Sequence, residues 1–253
     1  MTVNISLTSG SLGRTVPPVA TIDIGARSAS TNATLWQSTI GKKAIMAVTG
    51  LVMVLFLVLH MLGNLKIFFG PHDFDAYASW LRGIGEPVLH GVWFLWIQRA
   101  VLLVAVVLHI VCAAQLSKRD LAARPTGYAH GQRPQASFAT RTMRWGGVIL
   151  ALFIIWHLLD LTAGVTNPHF DNGRPYHNVV ADFQVWWINL IYIVGVLAVG
   201  LHINHGFWSA CQTLGINRRR RDAAIRGIGT VLAVAITSGF LAVPVGVMTG
   251  LVR

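Results

Sequence analysis

Residues 44–65 read AIMAVTGLVMVLFLVLHMLGNL, twenty-two positions with no Asp, Glu, Lys or Arg and with one histidine, His60, near the end. At 1.5 Å per residue a helix of this length spans about 33 Å, enough to cross a hydrocarbon layer about 30 Å thick. Lys42 and Lys43 close the run on one side and Lys66 on the other. Four more stretches near that length follow, at 87–116, 145–161, 183–214 and 227–252. The expected fold is therefore all-α, a five-helix transmembrane bundle. Arg99 interrupts the second stretch at a depth from which a tilted helix lets it snorkel to the interface. The fourth stretch is longer than the membrane, so it must tilt or project, and Pro244 predicts a kink in the fifth.

Composition agrees with this reading. Of 253 residues, 54% are hydrophobic and only 11% charged, with a mean hydropathy of +0.59, whereas soluble domains are about a quarter charged. Nine acidic residues argue against a soluble enzyme built on paired carboxylates. The net charge of +11 must be read by position, since basic residues mark cytoplasmic loops of membrane proteins, and no run interleaves them with aromatics as a nucleic-acid groove would. Cys112 and Cys211 lie far apart in apolar stretches, which excludes a CxxC pair and a cysteine zinc cluster. Residues 1–35, rich in Ser and Thr, are expected to form a flexible cytoplasmic tail ahead of a membrane domain at 36–253.

Orientation follows from the short connections. Lys42 and Lys43, the group Lys118, Arg119, Arg124, Arg133, Arg141 and Arg144, and the run Arg218 to Arg221 fall on one side. Lys66, Arg82 and Arg174, diluted by Asp73, Asp75, Glu86, Asp171 and Asp182, fall on the other. The N-terminus is therefore expected inside and the C-terminus outside.

Ionisable groups in membrane helices are costly and mark function. Four of the five stretches carry a histidine in their apolar part: His60, His109, His157 and His202. Counting from the charged ends, His60 and His157 share a level roughly 5–10 Å from the outer side, and His109 and His202 share one nearer the cytoplasm. Two imidazole pairs at two depths are what two bis-histidine b haems require, because each iron takes an axial nitrogen on both faces of its ring. A single membrane histidine is more often an interhelical hydrogen-bond partner; four, one per helix and paired by depth, weigh against that account. His205 lies three residues after His202 on nearly the same face, and spacing leaves the choice between them open. His72, His130, His169 and His177 fall in loops, and His90 faces about 100° away from His109. Gly50, Gly146, Gly147 and Gly195 allow a flat macrocycle to approach, or equally allow tight helix packing. Trp145, Trp156, Trp186, Trp187 and Trp208 suit an interfacial belt, with Trp156 also placed to wall a haem.

The segments FLVLHMLGN, VVLHIVCAAQ, LFIIWHLLD and GLHINHGFWSACQTLG around these histidines resemble the membrane-anchor cytochrome b subunit of succinate:quinone oxidoreductases, in the five-helix, two-haem branch shared with bacterial fumarate reductases. The resemblance runs from the first to the fifth helix. It implies that His202, four residues before Gly206, is the fourth ligand rather than His205. It implies an inner haem on His109 and His202, an outer haem on His60 and His157, and a quinone, commonly menaquinone. It further implies two partners, a flavoprotein that oxidises succinate and an iron–sulfur subunit on the cytoplasmic face, and a multi-pass location in the bacterial plasma membrane. The chain has neither a GxGxxG after a strand for a flavin nucleotide nor enough cysteines for a cluster. The quinone is expected beside the outer haem, near Asn64, Lys66, Glu86 and Arg99. Arg144 and Arg218 to Arg221 are expected to dock the iron–sulfur subunit and steady haem propionates. The same histidines are also compatible with a di-haem cytochrome of another membrane oxidoreductase, or with a haem-free transporter.

Overall fold

A computed structural model describes residues 36–123 and 136–253; the expected tail at 1–35 and Arg124, His130 and Arg133 lie outside the described residues. Every element described is helical. Helix α1 runs Thr39–Leu65, continued by a 3-10 turn, Lys66–Phe69; α2 is Pro71–Arg82, α3 Trp93–Ala122, and α4 Ala136–His157, continued by a π-helical turn, Leu158–Thr162; α5 is Pro175–Phe183, α6 Trp186–Thr213 and α7 Asp222–Met248. Five helices, α1, α3, α4, α6 and α7, are long and apolar enough to cross a membrane, and large side chains such as Leu55, Leu59, Val101, Leu152, Leu201 and Val231 are exposed on them. Surfaces of this kind are stable in lipid and not in water. The chain is a multi-pass membrane protein.

The helix limits differ from the hydropathy reading for local reasons. Helix α1 begins five residues earlier, because Ser38 caps it, its hydroxyl oxygen accepting the Gly41 N–H at 2.8 Å. Lys42 and Lys43 are thus inside the helix rather than ahead of it. Helix α3 begins at Trp93 rather than at 87, since residues 83–92 turn back on themselves, with the Val92 N–H bonded to the Arg82 carbonyl at 2.7 Å. Arg99 is consequently in the second turn of α3 and lies over the Trp96 ring at 5.0 Å; it does not interrupt a helix. Helix α7 continues through Pro244 to Met248.

The bundle is organised around α6, which packs on α1, α4 and α7, while α1 also packs on α3 and α7. Glycines set the close crossings. A side chain at Gly239 of α7 would collide with Met61 of α1, one at Gly200 of α6 with Thr237 of α7, and one at Gly195 of α6 with Phe153 of α4. Without a hydrophobic drive between helices in lipid, this close packing is a main source of association.

Replacing Gly239 by Leu is therefore expected to push α1 off α7 and cost about 1–3 kcal/mol. The thermal unfolding midpoint of the detergent-purified variant should fall, whereas Gly227→Ala, where no atom lies within 4 Å of the added carbon, should hold or raise it, since alanine favours the helix.

Candidate functional site

The four histidines meet in two pairs. The rings of His60 on α1 and His157 on α4 are 5.9 Å apart between centroids, and those of His109 on α3 and His202 on α6 are 6.1 Å apart. Both pairs meet at large angles, 75° and 59°, rather than stacked. The ring of His109 lies against α1 at Met46, Thr49 and Gly50, ten residues before His60, so the pairs are about 15 Å apart along the bundle. His205 does not join them; its ring sits 6.2 Å from that of Trp208.

Neither pair bridges helices that pack closely on each other: α1 with α4 and α3 with α6 are absent from the well-packed pairs. At the first pair there is a cavity of about 90 Å³ lined by His60, Asn64, Phe153, His157, Tyr192 and Phe240, among others. Metal–imidazole bonds are about 2.0–2.1 Å, so with about 1.1 Å from each nitrogen to its ring centre, two axial imidazoles on one metal have centroids about 6.3 Å apart. The two pairs stand close to that spacing, and among the described residues no group of three or more His, Cys, Asp or Glu gathers as a protein-only metal cage. The arrangement suits a group whose remaining bonds come from elsewhere.

Outer contacts fix the rings. The Nδ1 of His109 lies 3.0 Å from the Met46 carbonyl and 3.3 Å from Thr49 Oγ1. The carbonyl can only accept, so His109 is protonated at Nδ1 and its Nε2 lone pair is free. The Nδ1 of His157 is 3.4 Å from the Tyr192 hydroxyl, which itself donates to Asp160 Oδ2 at 2.9 Å. The tyrosine oxygen must then accept from His157, again leaving Nε2 free. Such second contacts fix tautomer and raise ligand basicity. Phe56 stacks on His60 at 5.1 Å, and Asn64 donates to the His60 carbonyl at 2.8 Å.

Two short helices cover the His60–His157 end of the bundle. Phe74 of α2 meets Tyr176 of α5 at 6.1 Å, Asp75 Oδ1 accepts the Tyr176 N–H at 3.0 Å, and the Tyr176 hydroxyl donates to the Arg253 carbonyl at 2.9 Å. Asp75 thus caps α5 from another helix, and Asn189 closes the far end of α5 through the Phe183 carbonyl at 2.7 Å. The other end, nearer His109 and His202, is basic. Lys42 is only 5% exposed and lies over Trp36; with Gln115, Lys118 and Arg119 these line an open cleft. Arg144 pairs with Asp120 at 3.6 Å, and Arg218 to Arg221 are exposed.

Of the four residues expected around a quinone, only Asn64 lines the cavity. Lys66 lies over the rings of Phe69 and Tyr77, Glu86 sits in the 83–92 turn beside Gly91, and Arg99 is held by Trp96. Gly50 carries the His109 ring and Gly195 the Phe153 ring, while Gly146 and Gly147 have open space beside them. Trp156 packs edge-on to Trp187 at 5.8 Å, and Trp208 donates to Asp222 at 2.8 Å under the Arg226 guanidinium. The sequence reading missed Tyr192, the buried Lys42, and Asp182, which is only 2% exposed. A signal existed for Asp182, an acid directly ahead of an uncharged helix; tyrosine in an apolar run carries none. Comparison of the chain with known protein families, with curated proteins and with solved structures returned no match in any of the three.

Loss of the cap in Asp75→Ala is expected to cost about 1 kcal/mol and to loosen α5. Limited proteolysis between 163 and 185 should accelerate, while Asp75→Asn, which keeps an acceptor, should remain close to the parent chain.

Proposed function

We propose that the chain is the membrane-anchor cytochrome b subunit of a succinate dehydrogenase, carrying electrons from an iron–sulfur subunit to a quinone. One b haem would be held by His109 and His202, the other by His60 and His157. The observation that carries the reading is the meeting of four imidazoles from four helices in two pairs, 5.9 and 6.1 Å between centroids. Their support from outside adds to it, since His109 and His157 each spend Nδ1 on a protein partner and keep Nε2 for a metal. When bound, the haems supply one-electron chemistry at two levels of the bilayer.

The chain's own residues do the rest. The His60–His157 cavity is lined by Phe153, Phe240, Val243 and Pro244, apolar side chains that would keep water from a bound haem. Lys42, Lys118 and Arg119 offer cations to anionic substituents at the basic end. Arg218 to Arg221, exposed at that end, suit an acidic docking partner, and the basic loops support reading this end as cytoplasmic, in a bacterial plasma membrane. The flavoprotein, the iron–sulfur subunit and menaquinone come to the reading from the sequence resemblance. The quinone is placed at the covered end, beside Asn64 and the His60–His157 cavity.

The test is haem stoichiometry in single variants of the purified protein. Two haems per chain are expected; His109→Ala and His202→Ala should each remove the same one, His60→Ala and His157→Ala the other, and His205→Ala neither. Absence of haem in the parent chain would leave a transporter with structural histidines, and haem without co-purifying flavoprotein and iron–sulfur subunits would point to another oxidoreductase.

Sidedness has its own measurement. Electrons entering at the basic end and leaving at the covered end move with an inside-negative potential, at about 2.3 kcal/mol per charge per 100 mV. Succinate:menaquinone activity in sealed vesicles of native polarity should therefore fall when an uncoupler collapses the potential; unchanged activity would place the quinone at the basic end.

A further inference from the structure

Two acids lie buried beside the covered cavity, Asp160 behind Tyr192 and Asp182 with no role so far. Asp160 is 0% exposed and Asp182 2% exposed, and among the described residues neither forms an ion pair. Two bare carboxylates at such a site are prohibitively costly. Their hydrogen bonding is unequal. Asp160 receives two donors, the Thr166 hydroxyl on Oδ1 at 2.9 Å and the Tyr192 hydroxyl on Oδ2 at 2.9 Å. Both oxygens of Asp182 are buried with no donor at all. A buried carboxylate with no donor is stabilised as the acid.

We propose that Asp182 is a neutral carboxylic acid donating to Asp160, and that this pair is linked through the Tyr192 hydroxyl to His157. The pair is a proton-binding site of the covered end, in which Asp182 holds the proton and Asp160 and Tyr192 carry its electrostatic effect to the ring. Burial, and then the Asp160 carboxylate, push Asp182 up to about 8. The groups around it are few. Helix α4 with its π turn contributes Asp160 and His157, α6 contributes Tyr192, α5 itself carries Tyr176 and His177, and α2 contributes Asp75, which is occupied at the far end of α5. From α7 the packing face is Val243 and Val247. No cation of these elements is paired with the acids to hold Asp182 ionised.

The proton is read directly by infrared spectroscopy of the purified full chain at neutral pH. A carboxylic-acid carbonyl band that shifts in deuterated water is expected. Asp182→Asn should abolish it while keeping an N–H to donate to Asp160, so that the fold survives. Asp160→Asn should also abolish it, because Asp182 then loses the neighbouring charge, gains a donor and ionises. Absence of the band in the parent chain, or its survival in either variant, overturns the proposal. Stability supplies a second reading. A folded-state value raised from 3.8 to about 8 means that stability is fully present below about pH 4 and is lost as pH rises through about 8. The unfolding midpoint of the parent should fall across that window relative to Asp182→Asn; parallel curves count against the proposal.

The link to His157 rests on the haem reading above. The midpoint potential of the haem lost in His60→Ala should vary with pH in the parent and lose that dependence in Asp182→Asn. A potential independent of pH in the parent overturns the link, whereas a protein that binds no haem overturns the haem reading and leaves the infrared result to decide on the proton.

Discussion

A polar atom in hydrocarbon must find its partner inside the protein, because no water is present to supply one. Each unmet group costs several kcal/mol, and the bundle is arranged by that constraint. Its polar side chains are not scattered along five helices but gathered at definite levels: His109 with Met46 and Thr49, His157 with Tyr192 and Asp160, Asn189 with the end of α5. Among the atoms left without a partner are His202 Nδ1 in one histidine pair and both oxygens of Asp182, with others at Gln115, Trp156, Asn189 and Asn217. A buried orphan of this kind can be completed by a bound group or a proton.

The packing pattern follows from the same requirement. Helices α6 and α7 are joined through Gly200, α1 and α7 through Gly239, and α4 and α6 through Gly195, so the centre of the bundle is held by backbone approach. The histidine pairs span two of the helix pairs that lack close packing, α1 with α4 and α3 with α6. A bundle seeking only dense packing would close these gaps with aliphatic side chains. At the first pair a cavity remains between His60 and His157, a cost in packing that a planar, metal-bearing ligand would return.

Much of this was legible in the sequence. The run at 44–65 announces a crossing by length alone, and the alternation of basic and acidic connections orders the ends. The depth of His60, His109, His157 and His202 could be counted from the nearest charges, because a helix converts residue number into distance along one axis. Rotation about that axis is less well determined. Hence His202 and His205 were inseparable by spacing, and the ring that meets His109 is selected by how α6 packs on α1 and α7. Residues outside the long runs were harder still. Helices α2 and α5 are too short and too polar to stand out from a loop, and they exist because each covers the other, through Asp75, Phe74 and Tyr176. The reach of Tyr192 to both His157 and Asp160 spans more than thirty residues, a contact that no local pattern encodes.

The two ends of the bundle therefore solve opposite problems. At the basic end the cations outnumber the acids; Lys42 is buried over Trp36, and Lys118 and Arg119 line an open cleft, a surface that would suit negative charge from outside the chain. At the other end the acids are enclosed beneath α2 and α5, where a negative charge is expensive and a proton is the cheapest counterion. An electron carried along the bundle from the first end toward the second would arrive where added negative charge raises the proton affinity of the acids nearby. The covering helices keep water from screening that interaction. Charge and proton would thereby be brought to one level of the bilayer, beside the cavity between His60 and His157, and the enclosure of Asp160 and Asp182 rather than their number would set the strength of that coupling.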